Sequence, residues 1–424
     1  MKEEKKIIEN ALDLINEWNK HLDKNIREEK YKKMAQTPYY FYRGTNFLFW
    51  NYFANSNLLQ KYGDSQTETW IQADLHAYNF GIYDKEDGEL IYGLNDFDES
   101  CPADYQYDIW RMAGSMLLIA IENHFIDEKQ HAKFINAFIN GYLSVIENFR
   151  LNGSEILYYI NKKNAFGKLD EVLEQTEKKE SRKEMLKKWT EKENGRLFLD
   201  TTYHKLASIS QKKKEEVIAA MQLYLKSLNH NEFPENYFNV LDVAQRISSG
   251  TGSYGTPRYY ILIQGSGKEN EQRILDAKFQ YKPCAYRFLG EEYQKKHDER
   301  FINEGQRHKE AYLALSAKVD PHLGWIELSE GVFSVRERSP YKSYFPAEIL
   351  NTETRFVKLA MQWGSVLATA HIKGNSKFVL SDLLNVTKTM KEEFAEHTYS
   401  VAKEFIKYSN KIYRAFLNKF FLDE

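Results

Sequence analysis

The chain has 424 residues, a formal net charge of −2 and a pI near 6.6, with 28% charged and 15% aromatic residues. That size supports a large core and two or three lobes, and the charge balance supplies no global drive toward nucleic acid or an anionic membrane. The 29 Tyr and 26 Phe argue against disorder, and two cysteines, Cys101 and Cys284, are too few for a disulfide framework or a Cys-based zinc site. No apolar run approaches the ~20 residues of a membrane span, and the Lys- and Glu-rich start lacks the apolar stretch of a signal peptide. A soluble, cytoplasmic protein is expected.

Ile7, Ile8, Ala11, Leu12 and Ile15 recur at helical spacing and predict one or two helices over residues 3–33. The aromatic run Thr37-Pro38-Tyr39-Tyr40-Phe41-Tyr42-Arg43-Gly44 reads as extended, and residues 46–59 as helical. A short strand over 70–73 is expected to deliver the polar loop that follows it. Residues 80–83 and 90–94 alternate around Asp87-Gly88, a two-residue hairpin signal. Ile109, Met112, Ala113, Met116, Leu117 and Ala120 mark a buried helix, followed by another over 128–149. The Lys- and Glu-dominated stretch 170–195 reads as a solvated, ion-paired helix, and a boundary is placed near Pro234. Beyond it, strands are predicted over 238–246, 258–264 and 273–280, a long helix over 291–317 and a hairpin around Glu330-Gly331. Helices resume at 353, where Phe356, Leu359, Ala360, Trp363 and Leu367 share one face.

Two stretches carry chemistry. Gln72-Ala73-Asp74-Leu75-His76-Ala77-Tyr78-Asn79 places an Asp and an Asn five positions apart (79 − 74), and Asp96 and Asp98 follow one hairpin later in Asn95-Asp96-Phe97-Asp98-Glu99. Phosphoryl transfer needs an oxygen base beside the acceptor hydroxyl and hard oxygen ligands for Mg²⁺. Asp74 suits the base, Asn79 and Asp96 the metal, and Asp98 an auxiliary ligand. Asx-rich turns at strand ends are common, so either stretch alone is weak, whereas the hairpin-spaced pair is not. His76, inside the loop, fits an orienting role. The third feature is Gly250-Thr251-Gly252-Ser253-Tyr254-Gly255 between two predicted strands, followed by Asp276-Ala277-Lys278 on the next. Gly250, Gly252, Ser253 and Gly255 allow backbone amides to approach phosphates, and Lys278 supplies a cation, with Glu304 or Glu310 as its carboxylate partner and Glu304 preferred. A dinucleotide-type turn is disfavoured, because a strand and not a helix follows the glycines.

These residues resemble the protein-kinase-like superfamily, and its aminoglycoside-phosphotransferase branch most. Asp74 to Asn79 is similar to that branch's catalytic loop, Asn95-Asp96-Phe97-Asp98 to its metal-binding Asp-Phe, and Tyr107-Asp108-Ile109 to a segment whose Asp braces the catalytic loop from below. Nearly the whole chain resembles an uncharacterised bacterial family, domain of unknown function twenty-two fifty-two. The features carrying that resemblance include Phe41-Tyr42-Arg43-Gly44, Asp108 to Arg111, Glu304-Gly305-Gln306-Arg307 and Leu367-Ala368-Thr369-Ala370-His371. Ala73 departs from the Gly usual before the catalytic Asp, and Pro257 from the usual sequence after the Gly-rich turn.

In kinases the Gly-rich turn and Lys precede the catalytic loop; here they follow it. The resemblance therefore implies an α+β, two-lobe kinase-like fold that is circularly permuted: residues 1–235 the catalytic half with a helical insertion, 236–345 the nucleotide-covering small lobe, 346–424 helices returning to the large lobe. Permutation is tolerated where termini lie close together. The expected activity is ATP- and Mg²⁺-dependent transfer of phosphate to an unidentified small-molecule or protein hydroxyl. Alternatives are a nucleotide-binding regulatory protein without turnover, and nucleotidyl transfer with the nucleotide turned around in the same site.

Overall fold

The computed structural model describes residues 2–422 except 55, 85–87, 154–158, 230–231, 248–249, 269, 318–319, 382–383 and 385–389. The chain is α+β, mostly helical, and its paired strands are antiparallel. The N-terminal periodicity resolves into α1 (Lys2–Asn19) and α2 (Lys24–Met34). The aromatic run expected to be extended is instead a helix, α3 (Pro38–Gly44). Thr37 caps it by accepting from the Tyr40 N–H at 3.3 Å, and Pro38 occupies the first turn, where no N–H is missed. That Thr-Pro start outweighs the β-propensity of the aromatics. Helix α4 (Asn46–Phe53) follows and packs nearly all its residues inward.

Strands β1 (Glu68–Ile71), β2 (Phe80–Asp84), β3 (Leu90–Leu94) and β4 (Cys101–Asp104) surround the two acidic stretches. β2 pairs with β3 as the alternation predicted, from Phe80↔Leu94 to Asp84↔Leu90. Gly88 takes φ +81° at that turn, and Asp87 lies outside the described residues. Helices α5 (Gln106–Glu122) and α6 (Glu128–Asn152) form the helical core with two later helices, α13 and α14, bounded below.

The Lys- and Glu-rich region is not one solvated helix. After β5 (Ile160–Asn161) it forms α7 (Lys168–Lys179), α8 (Arg182–Trp189) and a hairpin of β6 (Thr190–Glu193) and β7 (Arg196–Leu199). β8 (Leu206–Ala207) and α9 (Gln211–Ser227) complete it. Pro234 does not mark a change of packing, because β8 pairs with β9 of the later sheet and α9 lies against that sheet.

That sheet is six-stranded, in the order β12-β13-β11-β10-β9-β8. It contains β9 (Val240–Arg246), β10 (Arg258–Ile263) and β11 (Arg273–Phe279). Short α10 (Ala285–Leu289) comes next, and the helix expected over 291–317 is broken into α11 (Glu291–Arg300) and α12 (Glu304–Leu315). Asn303 ends the continuity by capping α12, accepting from the Gln306 N–H at 2.9 Å. β12 (Gly324–Leu328) and β13 (Gly331–Glu337) form the predicted hairpin. Alternation gives the sheet two different faces. Tyr259, Ile261, Leu275, Ala277 and Val335 pack under α9, whereas Tyr260, Leu262 and Ile274 meet Met185, Leu186 and Trp189 of α8. By the same period of two, Asp276 and Lys278 fall on the face of Ile274.

Helices α13 (Glu353–Gly374) and α14 (Lys391–Leu417) close the helical core. α13 crosses α6 so closely that a Cβ on Gly364 would stand 2.0 Å from the Phe138 carbonyl oxygen, and one on Gly141 2.1 Å from that of Met361. Only a residue without a Cβ fits. The last turn of α13 abuts β1: Thr69 donates to the His371 carbonyl at 2.7 Å, and Asn375 Nδ2 to the Glu68 carbonyl at 2.8 Å. α14 runs back to the N-terminal helices, with Lys411 bonded to Glu4 and Tyr413 to the Ala35 carbonyl at 2.7 Å.

Candidate active site

The Asp74 loop is held by backbone bonds to one carboxylate. Asp108, fully buried in the first turn of α5, accepts from the Gln72 N–H at 2.7 Å and the Ala73 N–H at 2.8 Å. His371 of α13 approaches the same carboxylate through Nε2 at 3.2 Å, while its Nδ1 lies 2.9 Å from the Tyr142 hydroxyl. Ala73 has φ +66°, a left-handed conformation that costs an L-residue ~1–2 kcal/mol. Its carbonyl is tied as well, accepting from Asn46 Nδ2 at 3.0 Å and Trp50 Nε1 at 3.1 Å. The Gly usual at this position in the resembling families fits that backbone without strain.

One turn along α5 from Asp108, Arg111 donates to Asp74 Oδ1 from Nη2 at 2.7 Å and from Nε at 3.2 Å. Both bonds fall on one oxygen. Arg111 is itself fixed by the Tyr42 carbonyl and lies 3.8 Å from the Tyr42 ring centre. Burial pushes Asp74 up to about 7, with Arg111 pulling the other way. His76 lies behind the loop within 3.4 Å of Arg43 Nε; burial and the Arg43 charge push it well below its usual value, so it is neutral at pH 7. It lines the same cavity as Asp74.

Asn79 donates its amide N–H to the Asp74 carbonyl at 2.9 Å, leaving Oδ1 unengaged among the described residues. Gln72 joins the two acidic stretches, accepting from the Asp74 N–H at 2.8 Å and donating to the Asp96 carbonyl at 2.5 Å. Asp96 carries a half-exposed side chain, and burial together with Asp98 pushes it up. Asp98 is bonded to Lys278 and accepts from Gln280 Nε2 at 2.9 Å; burial opposes its charge, but the ammonium overcomes that and holds it low. Lys278 also lies 4.0 Å from Asp96.

The expected Glu304–Lys278 pair does not form. Glu304 accepts from Arg307 Nε at 2.6 Å and lies 3.0 Å from His297 Nε2. Arg307, fully buried, spends its other donors on the Phe97 and Ser100 carbonyls and on Gln280 Oε1. The helix thus fastens the Asp96–Ser100 loop to β11 through Arg307, and Asp98 neutralises Lys278. The first residue of α12 is drawn to the Arg one turn on instead of reaching across to β11.

Gly250, Gly252 and Ser253 line the same cavity as Asp74, Asn79, Asp96 and Lys278, which has a volume of about 650 Å³. The turn lies on the N-terminal helices: Lys30 donates to the Gly252 carbonyl at 3.3 Å, and a Cβ on Gly252 would approach the Arg43 carbonyl at 3.3 Å. Lys30 is deeply buried, and desolvation brings it down to about 8 against the pull of Glu99. Gly255 takes φ +84° and faces Ile26 and Leu22; it is not itself among the cavity-lining residues, and its left-handed backbone shapes the turn.

A carboxylate, an amide oxygen and a second carboxylate are hard donors that fit Mg²⁺. Among the described residues no three His, Cys, Asp or Glu side chains converge as a metal cage. Arg111, Gln72 and Arg307 were not singled out as site residues from sequence. The available signal was charge at helical spacing within apolar faces, Asp108 with Arg111 above all.

Among the described residues no helix is long and apolar enough to cross a membrane. No curated protein and no solved structure matches the chain. The family profile described as an uncharacterized protein conserved in bacteria, DUF2252, matches residues 23–419, and the chain belongs to that family.

Proposed function

We propose that this protein is an ATP- and Mg²⁺-dependent transferase of kinase-like build, moving a phosphorus-centred group of ATP onto an acceptor hydroxyl. The observation that carries the reading is the convergence on one cavity of a partly buried Asp oriented by an Arg, an Asn–Asp pair of hard oxygens, a Lys on a strand and a Gly-rich turn. Asp74 Oδ2, the oxygen Arg111 leaves free, takes the acceptor's proton. Asn79 Oδ1 and Asp96 hold the metal, whose chemistry is to neutralise charge on the phosphates. Lys278 and the amides of Gly250 to Ser253 grip those phosphates, with Lys30 supporting the turn from behind.

A circularly permuted, two-lobe kinase-like fold gives these pieces a common frame. It is supported by the end of α13 meeting the start of β1, as it would if His371 once ran on into the Asp74 loop, and by the packing of α14 on the N-terminal helices. The test is ATP turnover by purified protein with Mg²⁺. Asp74→Asn and Asp96→Asn are each expected to cut the rate at least ~100-fold, with Asp74→Asn still binding nucleotide. Turnover that survives both substitutions overturns the assignment. Thermal stabilisation by ATP and Mg²⁺ with no product over hours would make the protein a nucleotide-binding module instead.

A further inference from the structure

One face of the six-stranded sheet changes character along its strands. Against α8 it is apolar, with Tyr260, Leu262 and Ile274. Further on, the register sets Arg258 of β10 opposite Lys278 of β11, and Asp276 of β11 opposite Arg336 of β13. Directly opposed residues share a face, so three cations and one carboxylate project together from this end of the sheet. Lys342 meets them from the segment after β13. That segment is anchored separately: the Ser343 carbonyl accepts from the Ile82 N–H of β2 at 3.0 Å, and Ser339 donates to Asp84 at 3.1 Å. These residues line a cavity of about 420 Å³ that shares Asn79, Asp96 and Gly250 with the Asp74 cavity and has Tyr78 and Tyr344 in its wall.

The charges in this cavity do not balance. Six cationic side chains and three carboxylates line it. Arg258 is engaged by Asp276 and Lys278 by Asp98, with Asp96 4.0 Å from Lys278. His308 is neutral, since burial brings it down to about 3. Lys33 lies over the Tyr254 ring at 4.1 Å, and Arg43 is 5.1 Å from the Tyr78 ring. Arg336 and Lys342 remain, both half-buried and neither in an ion pair among the described residues. Arg336 finds the Asn95 amide oxygen at 3.4 Å and the Tyr312 ring at 5.8 Å. A cation withdrawn from water without a counter-ion costs free energy. Burial and the charges of Arg258 and Arg336 bring Lys342 down to about 7, as a surplus of positive charge requires.

We propose that Arg336 and Lys342 form an anion site that takes the phosphate group of a ligand. A guanidinium offers a planar fork and an ammonium a point charge. Together they match a dianion with several oxygens, whereas a carboxylate neutralises only one of them. The phosphate grip proposed above uses Lys278, the Gly-rich turn and Lys30, so this site is additional to it. It does not depend on the transferase reading, because phosphate is held here whether or not a group moves. The phosphate belongs to the nucleotide or to a separate phosphorylated molecule, and its chemistry at the protein is the same.

Calorimetric titration of the purified protein with inorganic phosphate and with pyrophosphate tests the site. Wild type is expected to bind both, and Lys342→Met and Arg336→Met each to weaken them about tenfold or more. Lys20→Met is the control, since Lys20 lines the Asp74 cavity but not this one, and it should leave phosphate affinity unchanged. Melting curves give a second readout. Without phosphate, Lys342→Met should melt higher than wild type, because a cation among like charges is gone, and it should lose the stabilisation that phosphate gives wild type. No binding by wild type up to about 10 mM, unchanged affinity in both variants, or an equal loss in Lys20→Met overturns the proposal. Two further arms, each of which keeps the site, identify the source. Phosphate displaced by ATP but not by adenosine makes the nucleotide the ligand; phosphate bound undiminished beside saturating ATP makes it a separate phosphorylated molecule. ATP turnover, measured apart from these titrations, decides the transferase reading on its own.

Discussion

Asp74 and Asp98 belong to neighbouring acidic stretches, yet they are held in opposite ways. The Asp74 carboxylate is held from the helical region by Arg111 on α5, and Asp108 of the same helix grips the Gln72 and Ala73 N–H groups just before it. Asp98 is positioned from the sheet, by Lys278 and Gln280 of β11 and the segment after it. On the function proposed above, the difference suits them to different duties. A base must stay oriented whatever the sheet does, whereas the phosphate-gripping Lys and the metal-binding loop must move together. It also gives the two carboxylates opposite couplings to pH, one raised by burial and one held low by its ammonium.

The largest expected effect breaks the Asp98 arm. Lys278→Met strands a largely buried carboxylate and should destabilise the fold by about 2–4 kcal/mol, and adding Asp98→Asn should recover most of that loss. Denaturant unfolding of the two variants decides; a double variant no better than the single would mean the pair is not what couples loop to strand. Within the helical region, Gly364→Ala drives a methyl into the α6 backbone and should cost about 1–3 kcal/mol in the same assay.

Arg111→Met breaks the Asp74 arm. Without the guanidinium the carboxyl rises further above about 7, so the pH–rate midpoint should move upward and the rate at pH 7 fall about tenfold per unit moved. An unshifted profile would mean Asp74 is not the group titrating. Melting curves separate the two carboxylates by sign. Asp74, raised from 3.8 to about 7, binds its proton more tightly when folded, so it contributes stability at low pH that is lost as pH rises through that window. Asp98, lowered from 3.8, contributes stability above that value that is lost as pH falls. The melting advantage of wild type over Asp74→Asn should therefore shrink from pH 4 to 7, and that over Asp98→Asn should shrink on acidification below 4. The smallest effect is expected at Ala73→Gly, where relief of a +66° φ is offset by lost chain entropy, for a net change within about 1 kcal/mol.

Local patterns determined much of this molecule. The alternation in residues 80–83, 90–94 and 273–280 sufficed for strands and for placing Lys278 on one face, because a period of two is a property of the chain alone. The spacing of Asp74, Asn79, Asp96 and Asp98 was enough to bring out the candidate ligands, because a short loop and a hairpin leave little freedom between them. Competing local signals misled where a cap was decisive: Thr37-Pro38 made a helix of an aromatic run, and Asn303 cut a long helix in two.

What only the tertiary structure decided are the partners across long separations. That Lys278 pairs with Asp98 and not Glu304, that Arg111 holds Asp74, and that the Gly-rich turn rests on α2 and α3 depend on side chains brought together by packing of the helical core against the sheet. No periodicity encodes which of several nearby carboxylates an ammonium will reach. The burial that moves Asp74 and Lys342 toward neutrality is likewise a property of the assembled walls around them.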